Sequence, residues 1–85
     1  MNQNEIMNRV NALPGSFTGR LDAAGLDDVR DAARAGEWGE ALEILLGGLI
    51  KAQVPISEAE GEELRSLLEA VGLPTEPVGR LNVRR

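Results

Sequence analysis

The stretch AGEWGEALEILL, residues 35–46, decides the fold of this chain. It contains the only tryptophan, Trp38, and the densest group of aliphatic residues in a sequence with one phenylalanine and no tyrosine, cysteine or histidine. Gly36 is typical of the left-handed residue that ends a helix, and the apolar residues after it indicate that another helix begins at once. Apolar side chains cover well over half the circumference of that helix, so we expect it to contact neighbours on several sides.

Further amphipathic segments flank this apolar helix. Pro14 is expected to end the first of them, because the residue before a proline disfavours the helical backbone conformation. Ser57 and Glu60 have the spacing of a capping box at the start of the last one. The pattern predicts an all-α, small single-domain bundle of about four helices with a central apolar helix 3, the helices lying at residues 4–13, 22–35, 37–53 and 57–72.

The end of the chain differs in composition from this bundle. Residues 73–85 contain two prolines, one glycine and three arginines. This composition predicts an irregular C-terminal tail outside a helical domain of residues 1–72. Leu73, Val78 and Leu81 are the residues through which such a tail docks, and disorder is expected for its last residues.

Charge and composition limit the classes of partner. Residues 1–72 carry thirteen acidic and six basic side chains, within a chain of net charge −5. Such a body repels nucleic acid and anionic membranes, and it attracts a basic protein. The longest apolar region, residues 41–50, is too short to cross a bilayer, and the N-terminal sequence has no secretion signal. With no cysteine as well, we expect a cytoplasmic protein that binds neither membrane nor nucleic acid.

The residue types for common chemistry are missing. Without histidine or cysteine, the chain lacks the usual nucleophiles, bases and soft metal ligands. Ser57 is better explained as a helix cap than as a nucleophile, and the acidic residues lack the alternating spacing of a calcium loop. We therefore expect no enzymatic activity, no cofactor and no metal.

Acidic residues cluster around Gly36. Three aspartates within helix 2 and three glutamates of helix 3 form the predicted partner-binding surface: Asp27, Asp28, Asp31, Glu37, Glu40 and Glu43. A continuous negative patch of this kind suits basic groups of a protein partner. The alternative is an ordinary solvated surface, in which several of these acids only stabilise the starts of their helices.

The run from residue 26 to residue 72 resembles the small immunity proteins of bacterial polymorphic toxin systems, most closely the MafI family. The matching elements are AGEW at 35–38, ALE at 41–43 followed by Leu45, and PIS at 55–57. They cover a little over half of the chain.

This resemblance implies a cytosolic helical antidote that is encoded beside a secreted or contact-delivered toxin and blocks it by binding. Toxins of these systems are often nucleases, whose basic clefts suit an acidic partner. The matched positions that the resemblance implies for function are Glu37, Trp38, Glu40 and Glu43. Trp38, however, is favoured as the main anchor of the core.

Glycines on the predicted inner faces leave a second function open. Gly47 and Gly48 indicate either a kink in helix 3 or a strip of small residues where another helix approaches closely. An apolar groove along Gly48 and Gly61 would suit an adaptor module that binds a partner helix or a second copy of itself. The sequence therefore leaves both a monomer and a weak homodimer open.

Overall fold

Four α-helices account for most of the computed structural model, which describes residues 1–85. The model confirms the all-α bundle. Its elements are α1 (Gln3–Ser16), α2 (Ala23–Arg34), α3 (Trp38–Lys51), β1 (Ile56–Ser57), α4 (Glu58–Ala70), a 3-10 helix (Glu76–Arg80) and β2 (Val83–Arg84).

The apolar helix α3 is the centre of the bundle. It contacts α1, α2, α4 and the 3-10 helix, and its residues Leu42, Leu45 and Leu49 are completely buried. The helix is continuous through its two glycines. Gly48 lies under the side chain of Leu21, so that a Cβ atom at this position would be 3.4 Å from the leucine Cδ2. The small residue thus serves close packing within the chain.

The ends of α2, α3 and α4 share one geometry. In each, a residue with positive φ follows the helix: Gly36 (77°), Gln53 (48°) and Gly72 (78°). At the end of α2, the N–H of Glu37 donates to the carbonyl of Ala32 at 2.9 Å, which is the long hydrogen bond of a Schellman motif. These turns satisfy carbonyl groups that the helices leave without partners.

Helix α1 is longer than predicted. It continues to Ser16 with Pro14 inside it, so the expectation that the proline ends the helix is wrong. Proline removes only one hydrogen bond so near the end of a helix, and both Leu13 and Pro14 are buried. The carbonyl of Pro14 accepts the N–H of Phe17 at 3.1 Å, which closes the helix.

The ranges predicted for helices 2 and 4 each begin at the N-cap residue, one position before the helix itself. Asp22 and Ser57 are N-caps, and Ser57 forms the predicted capping box with Glu60. The carboxylate of Asp22 makes no capping hydrogen bond. Helix α3 ends two residues before the predicted position because Gln53 adopts the left-handed conformation.

The C-terminal segment is ordered and regular in part, contrary to the predicted irregular tail. The 3-10 helix buries Val78, and Leu81 is also buried, as the predicted docking requires. Strand β2 then pairs in parallel with β1, with Ile56 opposite Val83. The side chain of Asn82 donates to the carbonyl of Gln53 at 2.9 Å. These long-range contacts fix residues 73–85 against the bundle, with Val78 and Leu81 in the core.

Helices α1 and α3 have fourteen residues each, the largest number in any element. None of the helices combines the length and the apolar character of a membrane-spanning segment.

Replacement of Leu81 by alanine tests whether the C-terminal segment stabilises the fold. We expect Leu81→Ala to lower the free energy of unfolding by about 2–4 kcal/mol, the usual loss for a buried leucine, as measured by urea denaturation. The exposed neighbour Arg84 supplies the control, and Arg84→Ala should change stability by less than about 0.5 kcal/mol. Equal stability of the two variants would contradict an integral role for this segment.

Candidate partner-binding site

The turn at Gly36 brings the acidic residues of two helices together. Because α3 begins two residues after this glycine, the second half of α2 and the first half of α3 lie side by side, and these two helices make the most extensive contact in the molecule.

A shallow, open surface groove of about 320 Å³ runs along this corner. Four of the six predicted partner-binding residues line it, namely Asp28 and Asp31 of α2, the N-cap Glu37, and Glu40 of α3. Small and apolar side chains also line it: Ala32, Ala35 and Ile44. We call this feature the acidic groove. Sequence reasoning missed its apolar part, although the i, i+3 spacing of the two alanines is visible in the sequence.

The remaining two predicted residues lie outside the acidic groove. Asp27 forms an ion pair at 3.3 Å with Arg30 on the same helix. Glu43 lines a different depression together with Lys51 and Arg80. The predicted continuous patch is therefore divided, with its centre in the four groove residues.

Ion pairs are unevenly distributed over the surface. Seven of the fourteen carboxylate side chains have an arginine nitrogen within 4.0 Å. The other seven are Asp22, Asp28, Asp31, Glu37, Glu40, Glu43 and Glu69. Five of these seven belong to the α2–α3 corner, which is thus a region of uncompensated negative charge.

Helix dipoles do not account for the aspartates of this groove. The first turn of α2 contains no acidic residue. Asp31 lies in the last turn of α2, where the negative end of the dipole disfavours an anion. The helix dipole favours an anion at Glu40, in the first turn of α3, and at Glu37, the N-cap of that helix.

Mutual repulsion changes the ionisation of Glu40. A side-chain hydrogen bond to Glu37 raises the pKa of Glu40 above its ordinary value, and the negative charges of Glu37 and Glu43 act in the same direction. A carboxyl whose pKa is raised by folding stabilises the protein below its ordinary pKa, and that contribution is lost as the pH rises through the folded-state pKa. Ionisation of Glu40 is therefore less favourable in the folded protein than in the unfolded chain.

Trp38 is less central than predicted. It is only partly buried against the core, and its indole N–H is shielded from solvent without a hydrogen-bond acceptor. Phe17 is instead the fully buried aromatic residue, with 1% of its surface exposed. Trp38 is the first residue of α3, at the edge of the core.

Side chains of the chain itself lie against both glycines of the predicted apolar groove, and an open surface depression remains beside each glycine. Leu21 covers Gly48, while Val83 and Ile56 cover Gly61. The large hydrophobic residues that remain exposed are methionines 1 and 7, both near the N-terminus.

No group of three or more acidic side chains is arranged to hold a metal ion. Comparison of the chain with protein-family models, with curated proteins and with solved structures found no match. The geometry of the acidic groove suits one kind of chemistry, the binding of cationic groups beside apolar ones.

Replacement of Glu40 by glutamine tests the repulsion in the acidic groove. We expect Glu40→Gln to raise the melting temperature at pH 7, because it removes one of several like charges, and the gain should shrink as salt screens them. The gain should also vanish below pH 4.5, the ordinary pKa of the carboxyl. Glu69→Gln, at an unpaired acid on α4, is the control and should leave the melting temperature nearly unchanged. A lower melting temperature for Glu40→Gln at pH 7 would contradict the repulsion.

Proposed function

We propose that this chain is an immunity protein, which binds and neutralises a cognate secreted or contact-delivered bacterial toxin domain through its acidic groove. The observation that carries the proposal is the concentration of unpaired carboxylates at the α2–α3 corner, beside an apolar floor. In this proposal the protein acts in the cytoplasm, without catalysis and without a cofactor.

The electrostatics favour a basic protein partner. Uncompensated charge speeds the encounter with a molecule of opposite charge and favours that partner over acidic ones. A partner that supplies lysine or arginine side chains also removes the repulsion among the groove carboxylates, which the free protein must tolerate. The partly buried Ile44 adds apolar contact area between the charged walls.

The class of toxin follows from the same charge argument together with the resemblance. A nuclease has a basic cleft for the phosphate backbone of its substrate. An acidic surface that covers such a cleft excludes nucleic acid from it. The resemblance of residues 35–38, 41–43, 45 and 55–57 to immunity proteins agrees with this mode of inhibition.

Co-expression tests the proposed function directly. The chain should form a complex with the C-terminal domain of the toxin encoded beside its gene, and it should restore growth of cells that produce that domain. Complex formation is measured by co-purification and growth by viable counts. Failure of both would end the proposal, and turnover of a small molecule by the purified chain would replace it with an enzymatic function.

Charge reversal tests the surface within that complex. We expect Asp31→Lys with Glu40→Lys to weaken binding by at least about tenfold, because two attractive contacts become repulsive. Calorimetry at low and at physiological salt measures the change, which should be larger at low salt. The control, Glu69→Lys with Glu76→Lys, makes the same change in net charge on the C-terminal part of the chain. Equal loss of affinity in both variants would assign the effect to net charge alone.

A further inference from the structure

Residues 54–85, here called the C-terminal unit, are held together by contacts between their first and last segments. These two segments pair as parallel strands, with Ser57 opposite Arg84. Val83 also lies over Gly61 of α4, where a Cβ atom would be 3.7 Å from its side chain. Arg85 reaches Glu58 at 2.9 Å. These contacts tie both ends of the unit to α4.

Residues 1–51 form a second unit, here called the N-terminal unit. Helices α1, α2 and α3 all contact one another. The connection between α1 and α2 adds to this packing, because Leu21 covers Gly48 of α3. Each unit therefore has contacts of its own that do not depend on the other.

The interface between the two units is closely packed at its centre and open at its edges. At its centre, Leu64, Leu67 and Leu68 of α4 are fully buried. Between α1 and α4 a surface slot of about 180 Å³ remains, lined by Leu13, Ser16, Phe17, Ala59, Glu60 and Glu63. A second open depression, of about 320 Å³, lies between α3 and the 3-10 helix.

Two arginine–glutamate links bridge this slot. Arg9 donates to both carboxylate oxygens of Glu63, its Nε at 2.8 Å. Arg20 donates to both oxygens of Glu60, with Nη1 at 3.0 Å, and it also donates to the carbonyl of Pro55. The paired arginines lower the pKa of each glutamate, so both links stay charged at neutral pH.

The covalent joint between the units is short. It comprises residues 52 and 53, of which Gln53 has a φ of 48°, which is uncommon for a residue with a side chain. Residues at the end of a helix often absorb the backbone rotation of a hinge. A rotation at this joint separates α4 from α1 without breaking the strand pairing inside the C-terminal unit.

We propose that the C-terminal unit opens from the N-terminal unit as one cooperative body, and that the Arg9–Glu63 and Arg20–Glu60 links are the latches that hold it closed. Opening uncovers the apolar face of α4, which the closed molecule does not present. This device is independent of the proposed toxin binding, because none of the four latch residues lines the acidic groove.

Native-state hydrogen exchange tests the latches. The double variant Glu60→Gln with Glu63→Gln is called the latch variant. Its backbone amides in β1, α4 and β2 should exchange together about tenfold faster at pH 7 than those of the wild-type protein, the factor expected when two partly exposed ion pairs are lost. Glutamine at position 60 still accepts the Ser57 N–H, so the helix cap is kept. The control, Glu62→Gln with Glu69→Gln, removes two charges from the same helix without crossing the interface and should leave the rates unchanged.

Salt provides a second measurement on the same proteins. High salt should speed exchange of the C-terminal unit in the wild-type protein and have little effect on the latch variant, because only the former has ion pairs to screen. Equal acceleration in α2 and α3 would mean global destabilisation and would overturn the proposal. Unchanged exchange in the latch variant, or acceleration in α4 without β2, would overturn it as well.

Discussion

The chain reverses at Gly36 through a single left-handed residue, and the long hydrogen bond from Glu37 to Ala32 fixes the direction in which α3 leaves. Because the reversal is so short, the carboxylates at the start of α3 lie beside those in the second half of α2. The same turn directs the apolar face of α3 into the bundle. One local backbone constraint thus determines both the core and the charged surface.

Charged side chains serve two different purposes in this molecule. Arg9 and Arg20 connect distant elements through Glu63 and Glu60, and these links contribute to the fold. The carboxylates of the acidic groove have no arginine within ion-pair distance, and one of them, Glu37, raises the pKa of its neighbour Glu40 instead. Like charges that stay unpaired at a surface are the kind that proteins keep for binding at some cost in stability.

Local signals in the sequence were sufficient for much of the fold. The capping box at Ser57 and the glycines at 36 and 72 act on neighbouring residues, so helix ends at these points were predictable. The proline in α1 was misread because the burial of its ring outweighs one lost hydrogen bond. The order of residues 73–85 depends on pairing with Ile56, far away in sequence, and no local pattern indicates it.

The candidate site was predictable only in part, for a similar reason. The spacing of Asp28 and Asp31 indicates one face of α2, and the short turn indicates that Glu37 and Glu40 are nearby. Some acids are paired by a neighbour on the same helix, as Asp27 is by Arg30. Others are paired only through the tertiary structure, as Glu63 is by Arg9.

The central claim is that the molecule acts through the α2–α3 corner. Nuclear magnetic resonance of the labelled protein during titration with the toxin domain tests it most directly. We expect the largest changes in backbone amide shifts between Asp28 and Ile44, with β2 and the exposed face of α4 unaffected. Changes confined to β2 and α4, with the corner unperturbed, would contradict it.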